Sequence, residues 1–392
     1  MTDLLLRGGR VYDPARSISN QALDVAVSDG RITHVAGNID PAGFSSVIDV
    51  GGKIVAPGLI DLHTHVYHGF NPTGVHPDVA GVGSGVTTVV DGGSGGHANF
   101  GGFPSYVVPS SKTRVLCMVH VGPNGLSTMP EISSAADIDV EATAATVRDN
   151  RPLTQGVKIR AIGPAVLADG IEIVKLARRA AAESDSRLMV HIGELFHDGR
   201  TLTRELLPLL VAGDIVTHTF TPNPGRILDD AGTVIPEILD AQERGVTLDT
   251  AFGRFNFGFD VARRAIDQGV KPNTIATDIT VPGRANSVFS MTEMMTRFLA
   301  LGFALDDVIA MTTVNSARAL DLQDSLGSLE PGREADISVL EAVSGEWTVA
   351  DVRGETLTTA VALRPALTVR AGEVITPDWG PHPWGFLPQA IS

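Results

Sequence analysis

Cysteine is almost absent. Cys117 is the single thiol in 392 residues, so no intrachain disulfide and no cysteine-based metal cluster can form. That fits a reducing compartment. Basic residues are also scarce, with 30 Lys and Arg against 45 Asp and Glu, for a formal net charge of −15. The chain therefore lacks the strong positive field that a sequence-independent nucleic-acid binder needs. No basic patch with interleaved aromatics occurs, although a local basic pocket stays compatible. No uninterrupted apolar stretch reaches membrane-spanning length. The N-terminal MTDLLLRGGRVYD has no long apolar run before its charges, so it does not read as a signal peptide. A cytoplasmic protein is expected, with neither a membrane nor a nucleic acid as partner. GGSGG at 92–96 lacks the Lys-Ser/Thr of a P-loop and the helix-opening context of a dinucleotide fingerprint, so nucleotide binding is discounted.

What is present is the composition of a folded chain, 43% hydrophobic and 19% charged, with room for a large barrel and an appendage. Glycine is plentiful at 42, which suggests many tight turns. The first fifty-odd residues read as short strands and turns. Leu23, Val25 and Val27 alternate with Asp24 and Ala26, and DGR at 29–31 is a hairpin-turn candidate. From about residue 56, strand-like runs alternate with helical patterns. The runs are GLIDLHTH (58–65), VTTVVDGG (86–93), RVLCMVHV (114–121), GVKIRAIG (156–163), RLMVHIGE (187–194), DIVTHTF (214–220), VTLDTAFG (246–253) and TIATDIT (274–280). One helical segment is expected over 167–182, with Ile171, Val174, Ala177 and Ala181 on one face. Two more are expected near 287–301 and 305–320. Strand and helix alternating eight times predict an α/β fold, a (β/α)8 TIM barrel. Residues 56–327 would form it. Residues 1–55 and 328–376 would form a small β-sandwich domain from both chain ends. Residues 377–392 are a Pro- and Trp-rich tail without strand or helix period, read either as an ordinary ordered tail or as a segment laid over a surface.

His63 and His65 end the first barrel run. A spacing of two puts both side chains on one strand face, at the end of the barrel where active sites form. An isolated pair of this kind more often merely closes a strand; here it could also hold a metal, with Asp61 orienting a ligand. Lys158 lies between Val157 and Ile159 in the fourth run, and a lysine in an apolar strand is costly unless its charge is answered. A salt bridge is the commoner answer. The other is a carbamate, an anionic oxygen ligand able to bridge two divalent metals. His191, His218 and Asp278 end the fifth, sixth and eighth runs. Each alone is an ordinary polar residue. Four histidines, a lysine and an aspartate at one end of successive strands are explained together by a two-metal centre, for which zinc is the best-suited ion and manganese, cobalt or iron are alternatives.

With these residues in place, the chain resembles the amidohydrolase superfamily. VAPGLIDLHTH matches its lead-in to the first motif, and GREADISVL its return to the small β domain. NSARALDL near 315 is similar to its preceding helix. GVKIRA and TTVVDGGSGG resemble the dihydroorotase-like deacetylase branch. The resemblance implies two divalent ions: His63, His65 and Asp278 on the more buried one, His191 and His218 on the other, with N6-carboxylated Lys158 and a hydroxide bridging them. It further implies that the hydroxide attacks a substrate carbonyl while Asp278 acts as general base and then general acid. Arg160, Arg254 and Arg284 are candidates to hold a substrate carboxylate, although an ordinary surface or interdomain ion pair is the commoner role for each, and Tyr67 and His68 are candidates as the residues nearest the first motif. An apolar group could pack on Phe252, Phe255 or Phe257. His97, His120 and His197 also fall near strand ends and cannot be ranked. The expected activity is removal of a small acyl group, such as acetyl, from a carboxylate-bearing amide or ester. Cyclic amide hydrolysis is the alternative, and a non-catalytic scaffold a remote third. Fold analogy alone suggests a homo-oligomer.

Overall fold

The computed structural model describes residues 3–391. Both chain ends enter one nine-stranded sheet. Leu4–Asp13, Ile18–Ser28, Arg31–Ala36, Ser46–Asp49 and Ile54–Pro57 come from the N-terminal side, and Ile337–Ala350, Thr356–Arg370, Glu373–Ile375 and Gln389–Ala390 from the C-terminal side. The halves join where Ile54–Pro57 runs antiparallel to Ile337–Leu340, with Val55 opposite Val339. Asp29 and Gly30 both take positive φ, the requirement of a tight hairpin turn between Ile18–Ser28 and Arg31–Ala36. The sandwich-like unit has its own core, including Leu4, Leu6, Val25, Val27, Ile337, Val339 and Val369. The alternation at 23–27 does not divide a buried face from an exposed one, since Ala26 is buried as well as Val25 and Val27. Asp24 is buried, because its carboxylate accepts from Gly8 N at 2.7 Å and Ile39 N at 2.8 Å.

The second sheet is the barrel. Leu59–Thr64, Val86–Gly96, Arg114–His120, Thr154–Arg160, Arg187–His191, Ile215–Thr217 and Thr247–Asp249 pair in sequence order, all parallel. The eighth segment closes the ring by single bridges, Thr64 to Ile279 and Asp249 to Thr274, instead of a continuous ladder. Backbone hydrogen bonds still join it to both neighbours, among them Gly253 N to Thr277 O at 2.9 Å and Asp278 N to His63 O at 2.7 Å, and Asp278 takes a φ of 51°. Barrel strands share a core of Ile60, Leu62, Val90, Met118, Met189 and Ile215, extended by Ala251, Ala276, Ala317 and Leu320. The fourth strand adds no apolar side chain to that core. It supplies Lys158, whose Nζ lies 3.4 Å from Met189 Sδ.

Some helices are shorter than their periodicity suggested. The segment expected over 167–182 divides into Pro164–Asp169 and Glu172–Glu183, because Gly170 takes φ +57° between them. Val174, Ala177 and Ala181 are buried as expected. The one expected near 305–320 divides at Thr313 into Leu305–Thr312 and Val314–Ala319. Contrary to its lack of a strand period, the tail pairs Gln389–Ala390 with Trp347–Thr348. It lies over its own chain, with Asp378 N donating to Gly83 O at 2.8 Å and His382 Nε2 2.9 Å from Glu293 Oε2. Among the described residues, no helix is long and apolar enough to cross a membrane.

Candidate metal centre

The parallel strands deliver the six candidate ligands to one end of the barrel. His63 Nε2 lies 3.0 Å from Lys158 Nζ and 3.7 Å from Asp278 Oδ1. His65 Nε2 is 2.9 Å from the same oxygen, and His218 Nε2 is 3.8 Å from Asp278 Oδ2. The His191 and His218 rings are 4.2 Å apart. His63, His218 and Asp278 each offer a ligand atom, and those atoms lie within 4.8 Å of one another. His218 and Asp278 both take positive φ, 69° and 51°. That conformation is costly for a residue with a side chain and tends to persist where function requires it.

The donor set fits a divalent transition metal. Among the described residues, His191 Nε2 and His218 Nε2 are buried without a hydrogen-bond partner, an expensive arrangement for a group that serves nothing else. Burial first, then neighbouring cationic groups, hold His63 and His191 well below the ordinary histidine value. Burial also brings His218 down to about 4, so these rings are neutral near pH 7 and carry free lone pairs. Burial pushes the Asp278 carboxyl up, but the hydrogen bond from His65 and the charges of His65, His218 and Lys158 outweigh it, leaving the group below its usual value. Neutral imidazoles beside a carboxylate are what zinc and its neighbours bind. Burial lowers the Lys158 amine to about 7, so much of it is uncharged and nucleophilic near neutrality.

The glycine-rich run at 92–96 forms part of this centre. A Cβ on Gly92 would lie 2.3 Å from His63 Cδ2, and one on Gly93 2.7 Å from Lys158 Cγ. Ser94 Oγ is 2.8 Å from His65 Nδ1. Buried Asp91 fixes the turn, accepting from Ser94 N at 2.6 Å and Val66 N at 2.8 Å. The usable sequence signal was adjacency: the first two barrel strands are neighbours, so small residues ending the second face the histidines ending the first. Asp61 does not touch either imidazole. It accepts from Thr277 N at 3.0 Å and Thr277 Oγ1 at 2.6 Å, tying the eighth segment to the first strand. His63 Nδ1 instead meets Thr217 Oγ1 at 2.9 Å.

A pocket of about 210 Å³ opens onto His63, His65, Lys158, His191 and Asp278. Its wall is apolar at Leu126, Met129, Leu195 and Phe255, and cationic at Arg160 and Arg254. Arg160 is already paired with Glu131. Burial would raise the Glu131 carboxyl, yet Arg160 and then His120 hold it below the usual value. Arg254 has no ion pair among the described residues; its guanidinium lies 4.9 Å from the Phe255 ring. The other expected substrate contacts lie elsewhere. Tyr67 is fully buried, stacked on Phe103 with centroids 4.0 Å apart, and donates its hydroxyl to Asn99 O. His68 is exposed, with Nδ1 3.3 Å from Gly74 O. Arg284 sits on the helix Val281–Asn286 with Asp378 of the tail as its neighbouring charge. Phe252 and Phe257 are buried and stacked on each other, leaving Phe255 to face the pocket. A separate cleft of about 330 Å³, lined by charged side chains such as Arg226, Asp229 and Arg264, holds none of the candidate ligands.

The chain is similar to known proteins in sequence and in fold. The amidohydrolase family model matches residues 54–374, and the chain belongs to that family. A deacetylase of Agrobacterium fabrum is 30% identical over 381 residues, covering 95% of this chain and 91% of the relative. A deacetylase of Enterococcus faecalis is 28% identical over 375 residues, covering 95% and 98%. Among solved structures, an adenine deaminase superposes with TM-score 0.88 at 27% identity, covering 96% of this chain and 100% of the other. A dihydroorotase superposes with TM-score 0.87 at 28% identity, covering 96% and 98%. These likenesses support the dihydroorotase- and deacetylase-like branch.

Proposed function

We propose that this chain is a binuclear metal-dependent hydrolase that removes an acyl group, acetyl by preference, from a small carboxylate-bearing ester or amide. The observation that carries the reading is the meeting of His63, His65, Lys158, His191 and Asp278 at one pocket, with buried His218 beside them, its Nε2 3.8 Å from Asp278 Oδ2, and with His191 Nε2 and His218 Nε2 left without hydrogen-bond partners among the described residues. His63, His65 and Asp278 would hold one ion, and His191 and His218 the other. Lys158, carboxylated on Nζ, would bridge them. His63, His218 and Asp278, whose ligand atoms lie within 4.8 Å of one another, come from both proposed sets. Zinc is the favoured ion. When bound, such ions lower the pKa of water and polarise a carbonyl.

The chain's own residues supply the rest. Asp278, ionised near neutrality, accepts a proton from the attacking water and returns it to the leaving oxygen or nitrogen. Hydroxide then stays on the acyl carbon as the acyl–oxygen or acyl–nitrogen bond breaks. Arg254 holds the substrate carboxylate, because Arg160 is already answered by Glu131. Leu126, Met129, Leu195 and Phe255 offer an apolar wall to the acyl part of the substrate.

Cyclic amide hydrolysis is the second reading, supported by the likeness to a dihydroorotase. Elemental analysis of protein made with zinc and bicarbonate should find about two equivalents of metal per chain. Kinetics on an acetylated 2-hydroxy acid and on a dihydroorotate-type ring amide then separate the readings. Preference for the ring amide replaces the first with the second. Active protein without bound metal refutes both.

A further inference from the structure

His63 is held by a chain of hydrogen bonds that the catalytic reading leaves without a role. Its Nδ1 lies 2.9 Å from Thr217 Oγ1. Thr217 Oγ1 donates to Asp249 Oδ2 at 2.7 Å, and Thr274 Oγ1 donates to Asp249 Oδ1 at 2.8 Å. All four side chains are buried, with Asp249, Thr217 and Thr274 at 0% exposure. The residues come from the first, sixth, seventh and eighth barrel segments, so the chain crosses the barrel beneath the candidate ligands.

The direction of each bond follows from its atoms. An ionised carboxylate only accepts, and a threonine hydroxyl has one hydrogen to give. Thr274 and Thr217 both spend theirs on Asp249. Thr217 Oγ1 can then only accept from His63, so His63 must carry its proton on Nδ1. Its Nε2 is left unprotonated, a lone pair that accepts from Lys158 Nζ at 3.0 Å and lies 3.7 Å from Asp278 Oδ1.

We propose that Asp249, acting through Thr217, is a positioning residue that fixes His63 in the Nδ1–H tautomer and so keeps Nε2 available to a metal ion. Ligand imidazoles commonly owe their tautomer and orientation to such an outer acceptor, and losing it weakens metal binding by about 10–100-fold. Here the acceptor is reached through a hydroxyl, so the smallest removable part is the oxygen of Thr217. The proposal rests on His63 being a ligand, and the test tells failure of one from failure of the other.

The tautomer is read first, by nitrogen-15 NMR of histidine-labelled, metal-free full-length protein at mildly alkaline pH. His63 signals are assigned by their loss in His63→Ala. Wild type should show His63 protonated on Nδ1; protonation on Nε2 overturns the proposal. Zinc affinity is then measured by competition with a chelator. Thr217→Val keeps the shape and removes the oxygen, so it should mix the His63 tautomers and weaken zinc binding by about 10–100-fold. Thr217→Ser restores the hydroxyl and should restore both signals, which separates relay from packing. Weak binding by His63→Ala with wild-type binding and tautomer in Thr217→Val overturns the relay alone. Wild-type zinc affinity in His63→Ala overturns the ligand assignment and the relay together.

Discussion

Replacing Gly92 by alanine should disable the centre without unfolding the protein. Gly92 does not take a positive φ, so the backbone accepts alanine and the effect isolates the added methyl. That methyl would lie 2.3 Å from His63 Cδ2 and 2.5 Å from Nε2. Carbon atoms settle at about 3.5–4.0 Å, so the ring must yield by about 1 Å or more. It has little freedom to do so, held at 2.9 Å by Thr217 on one side and at 3.0 Å by Lys158 on the other. Overpacking of this kind costs about 1–3 kcal/mol of stability, which a large domain survives. Misplacing a group by about 1 Å at a reacting centre costs about 10²-fold in rate. Acetate release from an acetylated 2-hydroxy acid, metal content and thermal midpoint should be compared for wild type, Gly92→Ala and Gly37→Ala. Gly37 serves as control, because a Cβ added there would meet nothing within 4 Å. Gly92→Ala with wild-type turnover and full metal content would show that the imidazole is free to move and that the glycine does not cradle it.

Asp278→Asn keeps a coordinating oxygen but cannot take the proton, so metal should stay at least in part while turnover falls by about 10²–10⁴; near wild-type turnover refutes the role. Lys158→Ala should lose most activity, with partial rescue by short carboxylic acids that occupy the carbamate's place; full activity with both metals rules out the bridge. Arg254→Met should raise KM for carboxylate substrates far more than it lowers kcat, whereas Arg160→Met should destabilise the fold by about 3 kcal/mol by stranding buried Glu131. Burial raises the Glu334 carboxyl, but Arg114 and Arg370 outweigh it and hold the group below its ordinary value. Glu334 therefore stabilises the fold above the unfolded glutamate pKa, about 4.3, and that contribution is lost as pH falls through the depressed value. Arg370→Met should remove part of this acid-side loss in an acid-unfolding titration; an unchanged acid limb refutes the linkage.

Those features that obey a periodic rule were legible in the sequence. Eight apolar runs alternating with helical patterns implied the barrel, and polar residues at the ends of those runs had one physical place to meet. The two-ended β unit followed from strand texture at both termini. What stayed hidden depends on pairings that no period encodes. Glu131 reaches Arg160 from an irregular loop, so Arg160 reads as available when its charge is already answered. Tyr67 looks like a substrate contact by adjacency to His65, yet its ring turns away to stack on Phe103. Arg284 reads as a pocket residue because nothing local reveals that the tail brings Asp378 beside it. The glycines at 92 and 93 invite comparison with a phosphate loop, although their missing side chains are what matter. The break at Gly170 was foreseeable in kind, but an amphipathic stripe running through it masked the stop.

The two-ended sheet also sets a clock on the ribosome. Strand Ile54–Pro57 is wholly buried in the finished fold, between Leu4–Asp13 and Ile337–Ala350. The link from Leu59 N to Ser338 Oγ spans 279 residues. At roughly 5–20 residues per second, the later strand emerges on the order of 14–56 s after the earlier one. Throughout that interval the apolar edge of IVAP has no partner from its own chain's far end, and unpaired edges recruit strands from other chains. Recovery of native protein is thus a race between elongation and intermolecular pairing. Slower translation or denser expression should favour the losing side, while a holdase that covers the first sixty residues should favour the winning one.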